Sequence, residues 1–260
     1  MTEPSNKKPL IDYASCNTYD ENPRTIVILS MKELITIVRR ISSVLNGCIE
    51  KSSVLAEFTF LGNSVVDAAV LCETELENKD YFIKNIILSF NPLACMLIKD
   101  KVAKEYSEDI ASVIETTKTE EEMLKKTNLV DVGKIVTIIR KISSLLKNNG
   151  RKNKVLETLL NISPITDAAI LCETELECKD SIVEEIITSE SVHACILIAE
   201  IADLAPEYHE RAVRVISERG TEAEREMFES VYPDEIKKSR EKMHNLIYQF
   251  HTSADEDTHE

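Results

Sequence analysis

The chain of 260 residues contains little glycine, proline or aromatic side chain, with five glycines, seven prolines and no tryptophan. So few glycines leave almost no material for a loop that cradles phosphate, and no phosphate-binding loop or GxGxxG sequence is present. No Ser-His-Asp or Cys-His arrangement has the spacing of a catalytic site. We therefore interpret the chain as a non-enzyme and predict no catalytic residue, no cofactor and no metal site.

The sequence also lacks a signal peptide, an apolar run near eighteen residues and any CxxC pair. Its seven cysteines show no zinc-ligand spacing, and an odd number of thiols favours a reducing compartment. These absences predict a soluble cytoplasmic protein with no membrane partner, and they do not conflict with a nuclear location.

Basic residues are scarce relative to acidic ones, since 31 Lys and Arg face 46 Asp and Glu and give a net charge of −15. Such a field repels nucleic acid and anionic membrane surfaces and favours cationic partners. The composition therefore favours a protein partner and disfavours RNA.

A tandem repeat dominates what is present. The stretch from Asp67 to Asp80 returns at Asp167 to Asp180 with two changes in fourteen positions. The run from Arg39 to Leu45 returns at an offset of 101 rather than 100, which predicts that the following turn gained or lost one residue.

Apolar residues in both copies recur at helical spacing, and Ser30 with Glu33 forms a capping-box sequence at the first helix start. Asn63 begins a helix predicted to run to about Asn78. No stretch alternates apolar and polar residues for long enough to favour a sheet. The predicted fold is all-α, a tandem-duplicated helical-hairpin repeat (an α-solenoid or HEAT-like superhelix) of about 14–15 helices.

The repeat also predicts the domain organisation. Residues 1–25 form a mobile arm, 26–128 the first copy, 129–232 the second copy, 233–251 a capping helix and 252–260 an acidic tail.

Asp67 and Asp167 are the first candidate binding residues. Each lies on a helix that is apolar on both sides, which indicates packing on two faces. The carboxylate either satisfies the helix N-terminus and backbone amides of a neighbouring hairpin, or marks twin pockets for a basic group. The sequence favours the backbone interpretation.

The repeated glutamates Glu73, Glu75 and Glu77, with Glu173, Glu175 and Glu177, are a second cluster. Helical positions two apart point to different sides, so three carboxylates at this spacing cannot converge on a metal. We predict a solvent-facing acidic stripe.

A basic loop in the second copy offers the best local argument for nucleic acid or an acidic peptide. Four of its side chains are positive with no acid between them, and Gly150 adds flexibility. The full set of predicted basic contacts is Arg39, Arg40, Arg140, Lys141, Lys147, Arg151, Lys152 and Lys154.

The segment from Gly62 to Asp67 resembles the RNA-reading helix of Pumilio-type repeats, which implies an RNA-binding superhelix. Within a copy the run from Asp67 to Leu71 is echoed by the run from Leu93 to Leu97, and this spacing of about 26 residues is shorter than such repeats use. Stacking aromatics are also missing at the matching place. HEAT-like repeats suit the hairpin lengths better but bring no diagnostic motif here. No family is assigned.

The main prediction is a non-enzymatic helical scaffold that binds a basic or amphipathic segment of a partner protein. The first alternative is RNA binding through the basic residues. The second is self-assembly, because two near-identical surfaces in tandem can pair with copies of themselves.

Overall fold

A computed structural model describes residues 26–115, 123–201 and 203–231, which form thirteen α-helices and one two-stranded antiparallel ribbon. The predominance of helix confirms the all-α prediction in its main part. The predicted arm at 1–25, the helix at 233–251 and the tail at 252–260 lie outside the described residues.

The first copy begins with a strand and continues as six helices. Its elements are β1 (Ile26–Ser30), α1 (Met31–Val44), α2 (Lys51–Ala56), a 3-10 turn (Glu57–Leu61), α3 (Ser64–Glu73), α4 (Lys79–Leu88), α5 (Pro92–Ile98), a second 3-10 turn (Lys104–Tyr106) and α6 (Ser107–Glu115).

The second copy follows the same order. Its elements are β2 (Thr127–Asp131), α7 (Val132–Leu145), α8 (Lys152–Glu157), α9 (Pro164–Glu173), α10 (Lys179–Thr188), α11 (Val192–Ala199) and α12 (Pro206–Arg219), followed by α13 (Glu222–Val231).

Side-chain caps fix where the helices begin. At Ser30 the hydroxyl accepts from the Glu33 amide at 3.2 Å while the Glu33 carboxylate accepts from the Ser30 amide at 2.7 Å. Asp131 accepts from the amide of Gly133 at 2.8 Å at the matching start of α7. These contacts satisfy donors that have no partner within the helix, and the first confirms the start predicted at Ser30.

The repeated helix lies at the centre of each copy. In the first copy α3 packs between α1 and α5, and in the second α9 packs between α7 and α11. Ala68 and Ala69 are buried in α3, where small side chains let the neighbouring helices approach closely. Packing on two faces, as the apolar pattern predicted, is confirmed.

The predicted end of this helix near Asn78 is wrong. α3 and α9 stop at Glu73 and Glu173, because Thr74 and Thr174 adopt extended backbone with φ of −153° and −139°. In the second copy the Thr174 hydroxyl donates to the Ile170 carbonyl at 2.7 Å.

The ribbon corrects the prediction that no sheet is present. β1 pairs with β2 in antiparallel register, with Ile28 opposite Leu129. Those two residues occupy equivalent places in the two copies, so a local two-fold relation passes through this pair. The continuous apolar run of β1 hid it from an alternation criterion, although three of its residues are β-branched.

The one-residue difference between the copies does not lie in the turn after α1. Lys51 and Lys152 begin equivalent helices at an offset that is still 101. The extra residue lies in the segment of the first copy that forms the 3-10 turn closed by Gly62, whose φ is +67°. The second copy closes the same bend with Asn161 at φ +65°, and asparagine tolerates this left-handed conformation.

Candidate partner-binding surfaces

Asp67 carries a buried oxygen that nothing in the described part of the chain satisfies. Its Oδ1 atom is inaccessible and makes no hydrogen bond there. Burial raises the pKa of this carboxyl from 3.8 to about 7. Charge at Asp67 therefore disfavours the folded state at neutral pH.

Asp167, its counterpart, is bonded to backbone. Its Oδ1 accepts from the Asn161 amide at 2.8 Å, in the bend just before α9. Burial raises the pKa of Asp167 to about 6, the hydrogen bond opposes the rise, and Glu185 adds to it. The backbone interpretation therefore describes Asp167, whereas Asp67 has no such amide.

The repeated glutamates divide into two groups. Glu73 and Glu173 are half-buried and accept from the buried hydroxyls of Ser42 at 2.6 Å and Ser143 at 2.5 Å, so the prediction that they face solvent is wrong. The other four are exposed, as predicted: Glu75, Glu77, Glu175 and Glu177. The repeated Ile-Ser-Ser sequence in α1 and α7 was the available signal for the buried bonds.

Four of the predicted basic side chains have partners within the protein. Arg39 Nε lies 3.9 Å from a Glu73 oxygen, and Lys141 Nζ lies 3.0 Å from Glu57 and 3.6 Å from the centre of the Phe60 ring. Arg151 donates to the carbonyls of Val44 at 2.7 Å and Asn46 at 2.8 Å, at the carboxyl end of α1. Arg140 lies close enough to Glu200 to lower its pKa, against a larger rise to about 7 from burial.

The remaining predicted cations are Arg40, Lys147 and Lys154, which are exposed, and Lys152, which is half-buried. The contacts of the partnered set fall in different places: Arg39 within the first copy, Arg140 within the second, Lys141 and Arg151 between the copies. The described contacts thus do not gather these side chains around one common partner group.

One end of each copy is formed by two loops. The first follows the repeated helix (α3 or α9), and the second follows α5 or α11. In the first copy the Lys79 ammonium donates to the Lys101 carbonyl at 3.2 Å and joins these loops. In the second copy Lys179 joins the equivalent loops by an ion pair with Asp203, with 2.8 Å between Nζ and Oδ2.

This shared end differs in charge between the copies. Residues 99–105 contain three lysines and two acids, whereas residues 199–207 contain three acids and no basic residue. We call the exposed carboxylates here the acidic end: Glu175, Glu177, Asp180, Asp203 and Glu207.

Tyr208 shows that part of the acidic end is compact. Burial raises the pKa of this phenol above its usual value, and the carboxylates of Asp180, Glu184 and Glu207 raise it further. Glu184 is itself held by two bonds from Arg211, at 2.6 and 2.7 Å. The carboxylates of the acidic end therefore form a negative surface beside Glu184, whose charge is paired with Arg211.

The ribbon presents an apolar outer face. The side chains of Ile26, Ile28 and Leu129 are 49%, 63% and 72% exposed, whereas Leu29 and Val130 on the other face are buried. A surface cavity of about 360 Å³ adjoins β2 and is lined by residues 128–131, Leu61 and Lys134, among others. The sequence analysis missed this surface because it missed the strands.

No protein-family model matches the chain, and no significant match was found among curated proteins or solved structures. Within the described residues, no helix is long and apolar enough to cross a membrane. The same part of the chain contains no group of three His, Cys, Asp or Glu side chains arranged to hold a metal ion.

Proposed function

We propose that the protein is a non-enzymatic helical scaffold whose acidic end binds a basic or amphipathic segment of a partner protein. The observation that carries this proposal is the charge difference between equivalent ends of the two copies. Equivalent helices form the two ends, and each end contains the equivalent bridging lysine. Only the segment of the second copy, residues 199–207, lacks basic residues.

Exposed carboxylates are suited to this role. All five members of the acidic end are exposed, and four of them, Glu175, Glu177, Asp180 and Glu207, have no ion pair with a described residue. Opposite charges across an interface steer encounter and fix register more than they add affinity. The net charge of −15 extends this attraction beyond the contact itself.

The architecture we propose for the scaffold is a pair of helical-hairpin stacks of the HEAT-like kind. The packing order of α1, α3 and α5 in one copy and α7, α9 and α11 in the other supports it. A reducing, cytoplasmic location belongs to the same proposal, since all six described cysteines are free thiols.

The duplication supplies a matched test. Glu175→Lys with Glu177→Lys reverses charge in the second copy, and Glu75→Lys with Glu77→Lys makes the same change in the first. The probe is a fluorescent peptide of leucine and lysine with the lysines on one helical face. We expect the second-copy pair to weaken binding by about tenfold and the first-copy pair to have a much smaller effect.

Equal losses from the two pairs, or no binding by the unchanged protein, would overturn the proposal. A pull-down from native lysate with and without nuclease separates the RNA alternative, because loss of all bound material after nuclease identifies RNA as the link. Light scattering over a concentration series tests self-assembly, which a constant monomer mass excludes.

A further inference from the structure

We propose that the outer edge of β2 is a second docking surface, which accepts an extended acidic segment of a partner as an added strand. The surface consists of the β2 backbone, the adjoining cavity and Lys134. It is separate from the acidic end and takes a ligand of opposite charge.

The register identifies which backbone groups of β2 are open. The Met31 amide donates to the Lys126 carbonyl at 3.1 Å, so residues 31 and 126 form a directly bonded pair. Bonded pairs alternate along an antiparallel ladder, which makes the backbone of Leu129 and Asp131 point away from β1. In the described part of the chain the sheet has only two strands, so no third strand covers these groups.

The two copies treat this outward amide differently. In the first copy the Ser30 amide donates to Glu33 at 2.7 Å. The equivalent of Ser30 is Asp131, and the equivalent of Glu33 is Lys134, which cannot accept a hydrogen bond. The Asp131 amide therefore lacks the acceptor that Ser30 has, and the Lys134 ammonium donates to the Leu61 carbonyl at 3.5 Å.

The cavity gives the added strand room. Residues 128–131 all line it although their side chains alternate between the two faces of the ribbon, so the cavity follows the strand backbone. Val130 and Leu61 supply an apolar wall and Lys134 a positive charge. Main-chain bonds give such added strands affinity, and pockets for alternate side chains give specificity.

Charge decides the chemistry of the partner. The charged side chains that line the cavity are Asp131, which is bonded to the Gly133 amide, and Lys134, which supplies the positive charge. On the other side of the ribbon the matching position is Glu33, whose carboxylate is already bonded to Ser30. An acidic segment therefore fits the β2 side and is repelled from the β1 side.

Size argues against a second copy of this chain as the occupant. A five-residue strand spans about 17 Å and two strands about 10 Å in width. The ribbon face thus offers on the order of 200 Å², against about 800 Å² per partner in a stable interface. A short extended segment matches this area.

The test uses the full chain and a capped peptide of alternating valine and glutamate. Amide exchange followed by NMR is expected to slow by about tenfold at Leu129 and Asp131 when the peptide is present. Lys134→Glu should abolish this protection and create it for the matching valine and lysine peptide. Lys84→Glu, at an exposed position on α4, should leave it unchanged.

Three outcomes would overturn the proposal. The first is unchanged exchange in the presence of peptide, and the second is equal protection in the Lys134→Glu protein. The third is protection that already exists without peptide and disappears when residues 1–22 are removed, which would make the chain's own N-terminal segment the occupant.

Discussion

Asp67 gives the clearest pH dependence at the scale of single residues. Burial raises its pKa to about 7 in the folded protein, from 3.8 when exposed. The folded state therefore binds the proton more tightly, and the free energy of unfolding falls as pH rises from about 4 to about 7. Asp67→Asn removes the charge, so we expect it to flatten this fall and to stabilise the protein by about 2 kcal/mol at pH 8. Urea unfolding at a series of pH values measures both effects.

Asp167 is the matched control. Its pKa rises only to about 6, because the Asn161 amide stabilises the charged form. Asp167→Asn should therefore stabilise the protein less, with a gain that develops between about pH 4 and 6 and stays constant above pH 6. If Asp67→Asn left the pH profile unchanged while Asp167→Asn altered it, the assignment of the unsatisfied oxygen to Asp67 would be wrong.

The sequence placed these aspartates correctly on the central helix but could not separate them. Their local sequences are nearly identical, and the difference lies in the bend before each helix, where the chain length differs by one residue. Lys134 was likewise visible only by comparison, as a lysine where the first copy completes a capping box. The role proposed for Lys134 depends on the strand edge beside it, which the sequence did not reveal.

At the scale of elements, the two faces of the ribbon predict different effects of substitutions on stability. In β1 the side chain of Leu29 is buried on the inner face of the ribbon, and the side chain of Ile28 is exposed on the outer face. Leu29→Ala should lower the free energy of unfolding by about 2–4 kcal/mol, because it leaves a cavity in the core. Ile28→Thr keeps a β-branched side chain at an exposed site and should change it by about 0.5 kcal/mol or less.

Thermal unfolding of the two variants compares these effects directly. Similar losses in both would show that Ile28 is buried, and the exposed outer face of the ribbon would then be wrong. A loss confined to Leu29→Ala agrees with an open outer face. The inner face contributes stability in either case, since Val130 is buried beside Leu29.

Helix starts were predictable from this sequence where a capping side chain marks them. Ser30 and Asn63 cap the helices that their positions indicated. The strands were not predictable by alternation, because β1 is apolar from Ile26 to Leu29 and is held by a partner about 100 residues away. The end of α3 was missed because Thr74 leaves the helix inside an otherwise helical pattern.

At the scale of the whole molecule, the copies are joined by more than the ribbon. α7 packs on the 3-10 turn after α2, and Lys141 from α7 pairs with Glu57 of that turn. Arg151 bonds the carboxyl end of α1, and Asn149 donates to Glu50 at 3.2 Å. These contacts link residues about 100 positions apart, which favours unfolding of both copies as one unit.

Two equivalent cysteines report on this coupling. Cys95 in α5 and Cys195 in α11 are both fully buried, and burial raises the thiol pKa of each, for Cys195 to about 12. A buried neutral thiol does not react, so labelling by a thiol reagent requires unfolding. We expect both to become reactive at the same urea concentration, as resolved by peptide mass spectrometry. Arg151→Ala should lower that concentration equally for both, whereas reaction of Cys95 well before Cys195 would mean that the copies unfold separately.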